Sequence, residues 1–239
     1  MRNIFQLLLL LFLISKDKND GEKELFREQT WRPSIVVFFI LSINIYAYST
    51  YYLTKFPPKW SISNISWLFY FHLFLFLLIC VFILKIKKNI RILGFKKCVL
   101  KKYWGLILIS FLILLLPYIL GNLNKITVIA EDIKGMGLFN GSVYIILVTI
   151  TGPIIEESLF RGIMYSPYRK KYGATIAIIL NALLFTASHY GLKGNASTYF
   201  MSGFVYCLLY EKTESIIPSI VAHSGINLLA IIAGFYMLK

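Results

Sequence analysis

Long apolar runs separated by short charged loops dominate the 239-residue chain. A helix of about 20 apolar residues crosses the roughly 30 Å of hydrocarbon in a bilayer. The pattern therefore predicts an all-α, polytopic integral membrane protein of the cell membrane with seven to eight transmembrane helices. The seven clearer runs lie at residues 34–53, 67–84, 103–120, 141–165, 174–190, 199–210 and 216–238.

The eighth run, at residues 4–14, is short for a spanning helix and leaves open whether this segment crosses the bilayer. No small-residue cleavage site follows it, because Ser15 precedes a run of charged residues, so we expect it to be retained. Residues 1–33 are thus predicted to form a short apolar segment and a charged cytoplasmic loop. The whole chain, 1–239, is predicted to be a single transmembrane domain.

The charge distribution also favours a membrane protein and predicts which of its loops face the cytoplasm. The chain is 58% hydrophobic, with 25 Lys and Arg against 11 Asp and Glu and a net charge of +14. The basic residues concentrate in loops at 16–32, 85–102 and 169–171, which predicts that these loops are cytoplasmic. An alternative for residues 91–102 is a basic amphipathic helix that lies on the anionic leaflet. The predicted partner is therefore the lipid bilayer and not a nucleic acid.

Ionisable and strongly polar side chains inside predicted spans indicate where chemistry occurs, since each costs roughly 2.5 to 3.5 kcal/mol at the centre of a membrane helix. Most spans contain none. The exceptions concentrate in the last third of the chain and comprise Glu156, Glu157, Arg161, His189, His223 and Asn227.

The two adjacent acids are expected to differ in role. Glu157 and Arg161 are four residues apart, so an ion pair on one helical face is predicted. Glu156 projects about 100° away from that face and is left as a candidate general base.

Helix length predicts the partner of Glu156. The turn between two spans is expected near residues 171–173, and Glu156 precedes it by about as many residues as His189 follows it. At about 1.5 Å per residue, antiparallel helices bring both side chains to one level, where they can share a water.

His223 and Asn227 are also four residues apart, with Gly225 between them. They are predicted to lie side by side, and imidazole and carboxamide donors in this arrangement suit the charge that would grow on a carbonyl oxygen during a hydrolysis.

Each of these polar residues also has a purely structural interpretation. A lone Glu/Arg pair in a span often serves only to hold helices together. The isolated His72 has no polar neighbour at helical spacing and is assigned to packing, while Glu131 and Asp132 are expected in a solvated loop. The conjunction of two acids, an arginine, two histidines and an asparagine favours a functional site.

Three strings in this region resemble known motifs. Residues 156–161 match EExxxR, residues 185–189 match FxxxH and residues 223–227 match HxxxN. In this order they resemble the CPBP intramembrane protease family, which includes type II CAAX-prenyl endopeptidases, bacteriocin-processing or bacteriocin-immunity proteins and abortive-infection proteins. The resemblance covers about residues 141–238, which would form the catalytic core.

The resemblance implies roles for each residue. Glu156 and His189 would activate a water, Glu157 and Arg161 would order the site, and His223 and Asn227 would hold the oxyanion. The family has been described both as metalloproteases and as metal-independent glutamate proteases. We expect no obligatory cofactor. If zinc is used, His189, His223 and Glu156 are the candidate ligands.

The sequence thus favours an intramembrane endopeptidase of a bacterium acting on a peptide or membrane-tethered protein tail, including a bacteriocin precursor. The alternative is a non-catalytic bacteriocin-immunity or peptide-binding membrane protein on the same fold. A transporter would carry polar residues through both halves, and the first half contains almost none.

Overall fold

Helices account for the regular structure of the chain in the computed structural model. It describes residues 64–86, 90–96, 100–121, 123–189 and 196–238, together with Ser34, Phe38 and Ser42. No strand occurs among these residues, so the all-α prediction is confirmed for them. The α-helices are α1 (Asn64–Ile86), α2 (Leu100–Gly121), α3 (Leu123–Gly135), α4 (Gly137–Ile146), α5 (Gly152–Glu157), α6 (Tyr165–Ser188), α7 (Ala196–Thr213) and α8 (Ile217–Met237).

Apart from residues at their ends, the apolar runs predicted from residue 67 onward are helical wherever the structure describes them, and the run at 141–165 also includes two π turns. The run at 4–14 lies outside the described residues, and the run at 34–53 is described only at its three helical positions. Two described stretches, Gly137–Ser188 and Ile217–Met237, are long and apolar enough to cross a bilayer. Length and composition alone do not distinguish such a helix from the core helix of a soluble protein. The count of seven to eight spans stays a prediction.

Large apolar side chains cover the outside of the described helices. Phe76 on α1, Leu112 on α2 and Ile232 on α8 are each more than half exposed. The inward positions of the same helices, such as Leu75 and Leu114, are buried. Helices that are apolar both inside and outside are typical of proteins that face lipid.

One long helical stretch carries the two acids and then reverses direction. It runs through α4, a π turn (Leu147–Thr151), α5, a second π turn (Ser158–Met164) and the first part of α6. Gly173 interrupts α6 with φ 78° and ψ 171°, a backbone conformation that favours glycine. The second part of α6 packs back against the π turn at Ser158–Met164, since the Asn181 amide donates to the Phe160 carbonyl at 2.7 Å. The turn predicted near residues 171–173 is confirmed.

The segment predicted as an amphipathic surface helix at 91–102 is different, and that prediction was wrong. Residues Ile90–Leu93 form a single 3-10 turn, and Gly94, with φ 89°, ends it. Leu93 is fully buried, and the Gly94 carbonyl accepts a hydrogen bond from Ile216 N at the start of α8. The described part of the segment, 90–96, is therefore docked against the bundle through Leu93, since burial of this side chain between helices is favourable. Residues 97–99 lie outside the described residues, and residues 100–102 begin α2.

Glu131 and Asp132 are exposed, as expected, but they lie in helix α3 and not in a loop. The polar residues between the two predicted spans were interpreted as a loop. They form the outer face of α3, whose inner residues Ile126, Ala130 and Ile133 are buried.

Small residues allow the helices to approach closely where α3 meets α8. A Cβ atom placed on Gly234 would lie 2.5 Å from the Ile126 carbonyl oxygen and 3.0 Å from Ala130 Cβ. Such contacts leave no room for a side chain, and close approach through small residues is how membrane helices gain packing contacts.

Two Gly-to-Ala substitutions should therefore have opposite effects on stability. Gly234→Ala should destabilise by about 1 to 3 kcal/mol because α3 and α8 must separate. Gly105→Ala, in α2 with open space around it, should stabilise by about 0.5 to 1 kcal/mol because alanine favours the helix. Thermal unfolding of both variants in one detergent measures the difference, and equal midpoints would contradict the packing described here.

Candidate functional site

Glu156 and Glu157 lie on α5, between two π turns. The local sequence explains why the first of these turns forms. In the first turn, Gly152 N donates to the Leu147 carbonyl, five residues back, and not to Val148. A Cβ on Gly152 would lie 2.9 Å from that same Leu147 oxygen, so glycine suits the turn. The residue five after Val148 is Pro153, which has no N–H. The Val148 carbonyl is therefore left without either backbone donor.

Asn227 supplies the missing donor. Its Nδ2 donates to the Val148 oxygen at 2.8 Å and so joins α8 to the π turn. An unpaired carbonyl between apolar helices would cost free energy comparable to a lost hydrogen bond. Sequence reasoning assigned Asn227 to the oxyanion alone, and the structure adds this second role. The carboxamide has two N–H hydrogens, so one bond does not exhaust it.

A buried charge network begins at Glu157, whose side chain is fully buried. Its Oε1 accepts from Arg161 Nη1 at 3.1 Å and contacts His223 Nδ1 at 3.0 Å. Arg161 Nη2 also donates to the Gly203 carbonyl on α7 at 2.8 Å. The pair predicted from the i,i+4 spacing is present. Its connections to α7 and α8 were not predicted.

The hydrogen bonds of the two histidines determine which ring nitrogen faces the site. His189 Nδ1 lies 2.7 Å from the Phe185 carbonyl, an oxygen that can only accept, so Nδ1 carries the proton. In the same way, Glu157 as a carboxylate holds the proton on His223 Nδ1. In each neutral imidazole, Nε2 is then left as an acceptor.

Both Nε2 atoms face Glu156. The Glu156 Oε2 atom lies 3.6 Å from His189 Nε2 and 3.9 Å from His223 Nε2. Oε2 is buried and makes no direct hydrogen bond among the described residues. These distances are too long for direct hydrogen bonds, and three acceptors around one small volume need a shared proton donor, for which a water is suited. The predicted proximity of Glu156 and His189 is confirmed, and His223 joins them.

Aromatic rings fix both imidazoles. Tyr206 stacks on His223 with centroids 4.7 Å apart, and Tyr199 packs on His189 at 4.6 Å. Phe185 contacts His189 from the other side at 4.3 Å and lies 4.9 Å below the guanidinium of Arg161. Sequence reasoning missed both tyrosines because α7 carries no polar motif. Their spacing of seven residues, two turns on one helical face, was the available signal.

The residues can be compared with what zinc requires. Two histidines and a glutamate are suitable donor types, and both Nδ1 atoms have the carboxylate or carbonyl partner that zinc-binding histidines use. Tetrahedral ligands at 2.0 to 2.1 Å from zinc are about 3.3 Å apart. The separations here, 3.6 and 3.9 Å, are wider, and no cluster of three His, Cys, Asp or Glu side chains in the described residues has metal-site geometry. The arrangement as it stands does not fit a metal.

All six residues singled out from sequence are therefore in the described part of the chain, and five form one connected cluster, with Asn227 one turn beyond His223. An apolar helical bundle that holds a partly exposed carboxylate between two oriented imidazoles has the features of a membrane hydrolase. Residues 138–229 match the family described as "Type II CAAX prenyl endopeptidase Rce1-like". The resemblance to the CPBP proteases is confirmed over this segment, and at the level of the family the match is to a membrane protease.

Three further proteins are similar to parts of this chain. The chain is 33% identical over 88 residues to YdiL of Bacillus subtilis, whose name marks it as a candidate membrane peptidase. It is 33% identical over 90 residues to the UPF0177 protein YbdI, and 27% identical over 158 residues to the UPF0177 protein YxdF, both of Lactococcus lactis. These alignments cover 37%, 38% and 63% of this chain.

The alignments span 36% of YdiL and 48% of YbdI, less than half the length of each, and 88% of YxdF. No solved structure matches the chain.

The buried network predicts unequal effects of the same substitution at adjacent acids. Glu157→Gln leaves the charge of Arg161 without a buried counterion and should cost about 3 to 5 kcal/mol of stability. Glu156→Gln removes no ion pair with Arg or Lys and should accumulate like the parent. Thermal unfolding and the yield of membrane-inserted protein measure both effects. A second substitution that removes the Arg161 charge, Arg161→Met, should recover part of the loss in Glu157→Gln, and no recovery would argue against the charge explanation.

Proposed function

We propose that the protein is a multi-pass intramembrane endopeptidase that hydrolyses a peptide bond in a membrane-associated peptide or protein tail. The observation that carries the proposal is the convergence of Glu156 Oε2 with two Nε2 atoms whose Nδ1 protons are committed elsewhere. An acceptor cluster of this kind binds a water and is ready to take a proton from it.

The reaction begins with a water held between Glu156 and His189. The water oxygen attacks the carbonyl carbon of the substrate, and its proton passes to Glu156 as the tetrahedral intermediate forms. The oxyanion then needs a donor, which the second N–H of Asn227 would supply. His223 Nε2 would add a second donor when the ring takes up a second proton from solvent, since Nδ1 keeps its own proton on Glu157. Collapse of the intermediate breaks the C–N bond, and the proton held by Glu156 moves to the leaving nitrogen, which restores the carboxylate.

Glu157 and Arg161 lie behind this site. They contact no position open to substrate, since both side chains are fully buried. Their contribution is to keep the His223 ring in place with Nδ1 protonated, so that Nε2 faces Glu156. Glu156 would thus take part in the reaction, and Glu157 would stabilise the structure that surrounds it.

Substitution of Glu156 tests the proposal. Purified protein in liposomes is incubated with two internally quenched peptides, one ending in a farnesylated Cys-a-a-X sequence and one apolar peptide without a prenyl group, and products are identified by mass spectrometry. The parent should cleave at least one peptide, and Glu156→Gln should lower turnover by at least about 10²-fold, the lower range for a lost acid–base catalyst. The prenylated probe follows from the description of the matching family.

The control is Gly105→Ala, which lies in open space away from the site and should cleave like the parent. Cleavage by Glu156→Gln at the parental rate would contradict the role of Glu156. If neither peptide is cleaved and Glu156→Gln still confers full bacteriocin immunity in cells, the chain is a peptide-binding protein on this fold and the proposal fails.

Metal dependence is tested separately. Because the three acceptors are spaced for a water and not for zinc ligands, cleavage should persist after exhaustive chelation. The measurement is turnover of the same peptides before and after chelation, with the metal content of the protein determined alongside. Loss of turnover that added zinc restores would overturn the metal-free version and assign Glu156, His189 and His223 as ligands.

A further inference from the structure

The third histidine of the chain also lies beside Glu156. The sequence contains three histidines, and His72 is the one on α1, outside the segment 138–229 that matches the protease family. Its side chain is buried, with 7% of its surface exposed. The assignment of His72 to simple packing rested on the absence of a polar neighbour along its own helix, which says nothing about neighbours on other helices.

Gly152 is the point where His72 and Glu156 meet. The position that a Cβ atom would occupy on Gly152 lies 3.0 Å from His72 Nε2 and 3.8 Å from Glu156 Oε1. The two atoms therefore flank the same small space, where a water would bridge them. Any side chain at residue 152 would fill that space, so the glycine of the π turn opens α5 to the imidazole.

The packing of α1 directs His72 inward. His72, Leu75, Ile79 and Phe82 recur at intervals of three and four and are all buried, while Leu73, Phe76 and Leu77 are exposed. The imidazole thus lies on the face of α1 that contacts the bundle. A polar ring on this face is costly between apolar helices unless it contacts a polar group, and the carboxylate that borders it across Gly152 is that of Glu156.

We propose that His72 is a positioning residue of this site, which holds Glu156 through Oε1 while His189 and His223 face Oε2. The inference rests on the proposed function in that it assigns His72 to the same carboxylate. Rotation about the last bond of a glutamate side chain is soft, so a carboxylate contacted at one oxygen only is poorly fixed. A donor at the second oxygen keeps Oε2 directed at the water, which is the kind of support that precise catalytic geometry requires.

Histidine NMR tests the contact without any substrate. The chain has only three histidines, so selective ¹⁵N and ¹³C labelling gives three sets of imidazole signals, which single His→Gln variants assign. In Glu156→Gln, the His72 signals should shift together with those of His189 and His223. A matched control is Glu211→Gln, since Glu211 is bound by Tyr165 and Arg169 away from this site, and it should leave His72 unchanged.

The outcomes separate the two proposals. If the His189 and His223 signals move in Glu156→Gln while those of His72 stay fixed, the inference about His72 is wrong and the proposed site stands. If none of the three moves, the Glu156 cluster itself is wrong, and both proposals fall.

The positioning role of His72 is tested by measuring kcat and KM. The substrate is the quenched peptide that the parent protein cleaves in the experiment described above. His72→Leu keeps the bulk but removes the donor, and it should lower kcat by about 10- to 100-fold with KM unchanged, as expected for a slightly misplaced catalytic group. His72→Gln retains a donor and should recover most of that loss. Ile79→Ala, two turns along the same buried face, should lower the melting temperature and leave kcat unchanged. Equal kcat losses in His72→Gln and His72→Leu, or a matching loss in Ile79→Ala, would reduce His72 to a packing residue.

Discussion

A single carboxylate oxygen, Glu157 Oε1, connects three helices. It accepts from Arg161 on the same helical stretch and from His223 on α8, and Arg161 in turn bonds to the Gly203 carbonyl of α7. Both charged side chains are fully buried, where a charge is tolerated only with its partner. The direction of the His223 ring, and with it the surroundings of Glu156, therefore depends on an ion pair that never contacts a substrate.

Irregular helix geometry places the acids as much as the ion pair does. The π turn at Leu147–Thr151 opens because Gly152 donates one residue further back than in an α-helix and Pro153 donates nothing. The same irregularity releases the Val148 carbonyl to Asn227 and leaves a space beside Gly152 that His72 borders. Deviations of this kind are frequent at functional sites because a regular helix cannot change the direction of one side chain alone.

Sequence reasoning recovered those parts of the site that depend on spacing along one helix or on helix length. The Glu157–Arg161 pair follows from one turn of helix, and the meeting of Glu156 with His189 follows from counting residues to and from Gly173. It could not recover what depends on which helix faces which. Tyr199 and Tyr206 reach the site from α7 across helix interfaces, and only their spacing of seven residues marks them in the sequence. The bond from Asn227 to the Val148 carbonyl was not predicted because a regular helix has no unpaired carbonyl in its interior.

The order of the helices along the chain has a consequence for biosynthesis. Glu156, Glu157 and Arg161 leave the ribosome before α7 and α8, which bring the Gly203 carbonyl, His223 and Asn227. Until α8 is in place, the Val148 carbonyl lacks its donor and Glu156 faces one of its two neighbouring imidazoles. A nascent chain that has inserted everything except its last described helix thus carries both acids without the His223 ring and the Asn227 carboxamide that surround them in the folded protein. The direction of translation therefore leaves the surroundings of Glu156 to be completed last, when α8 inserts.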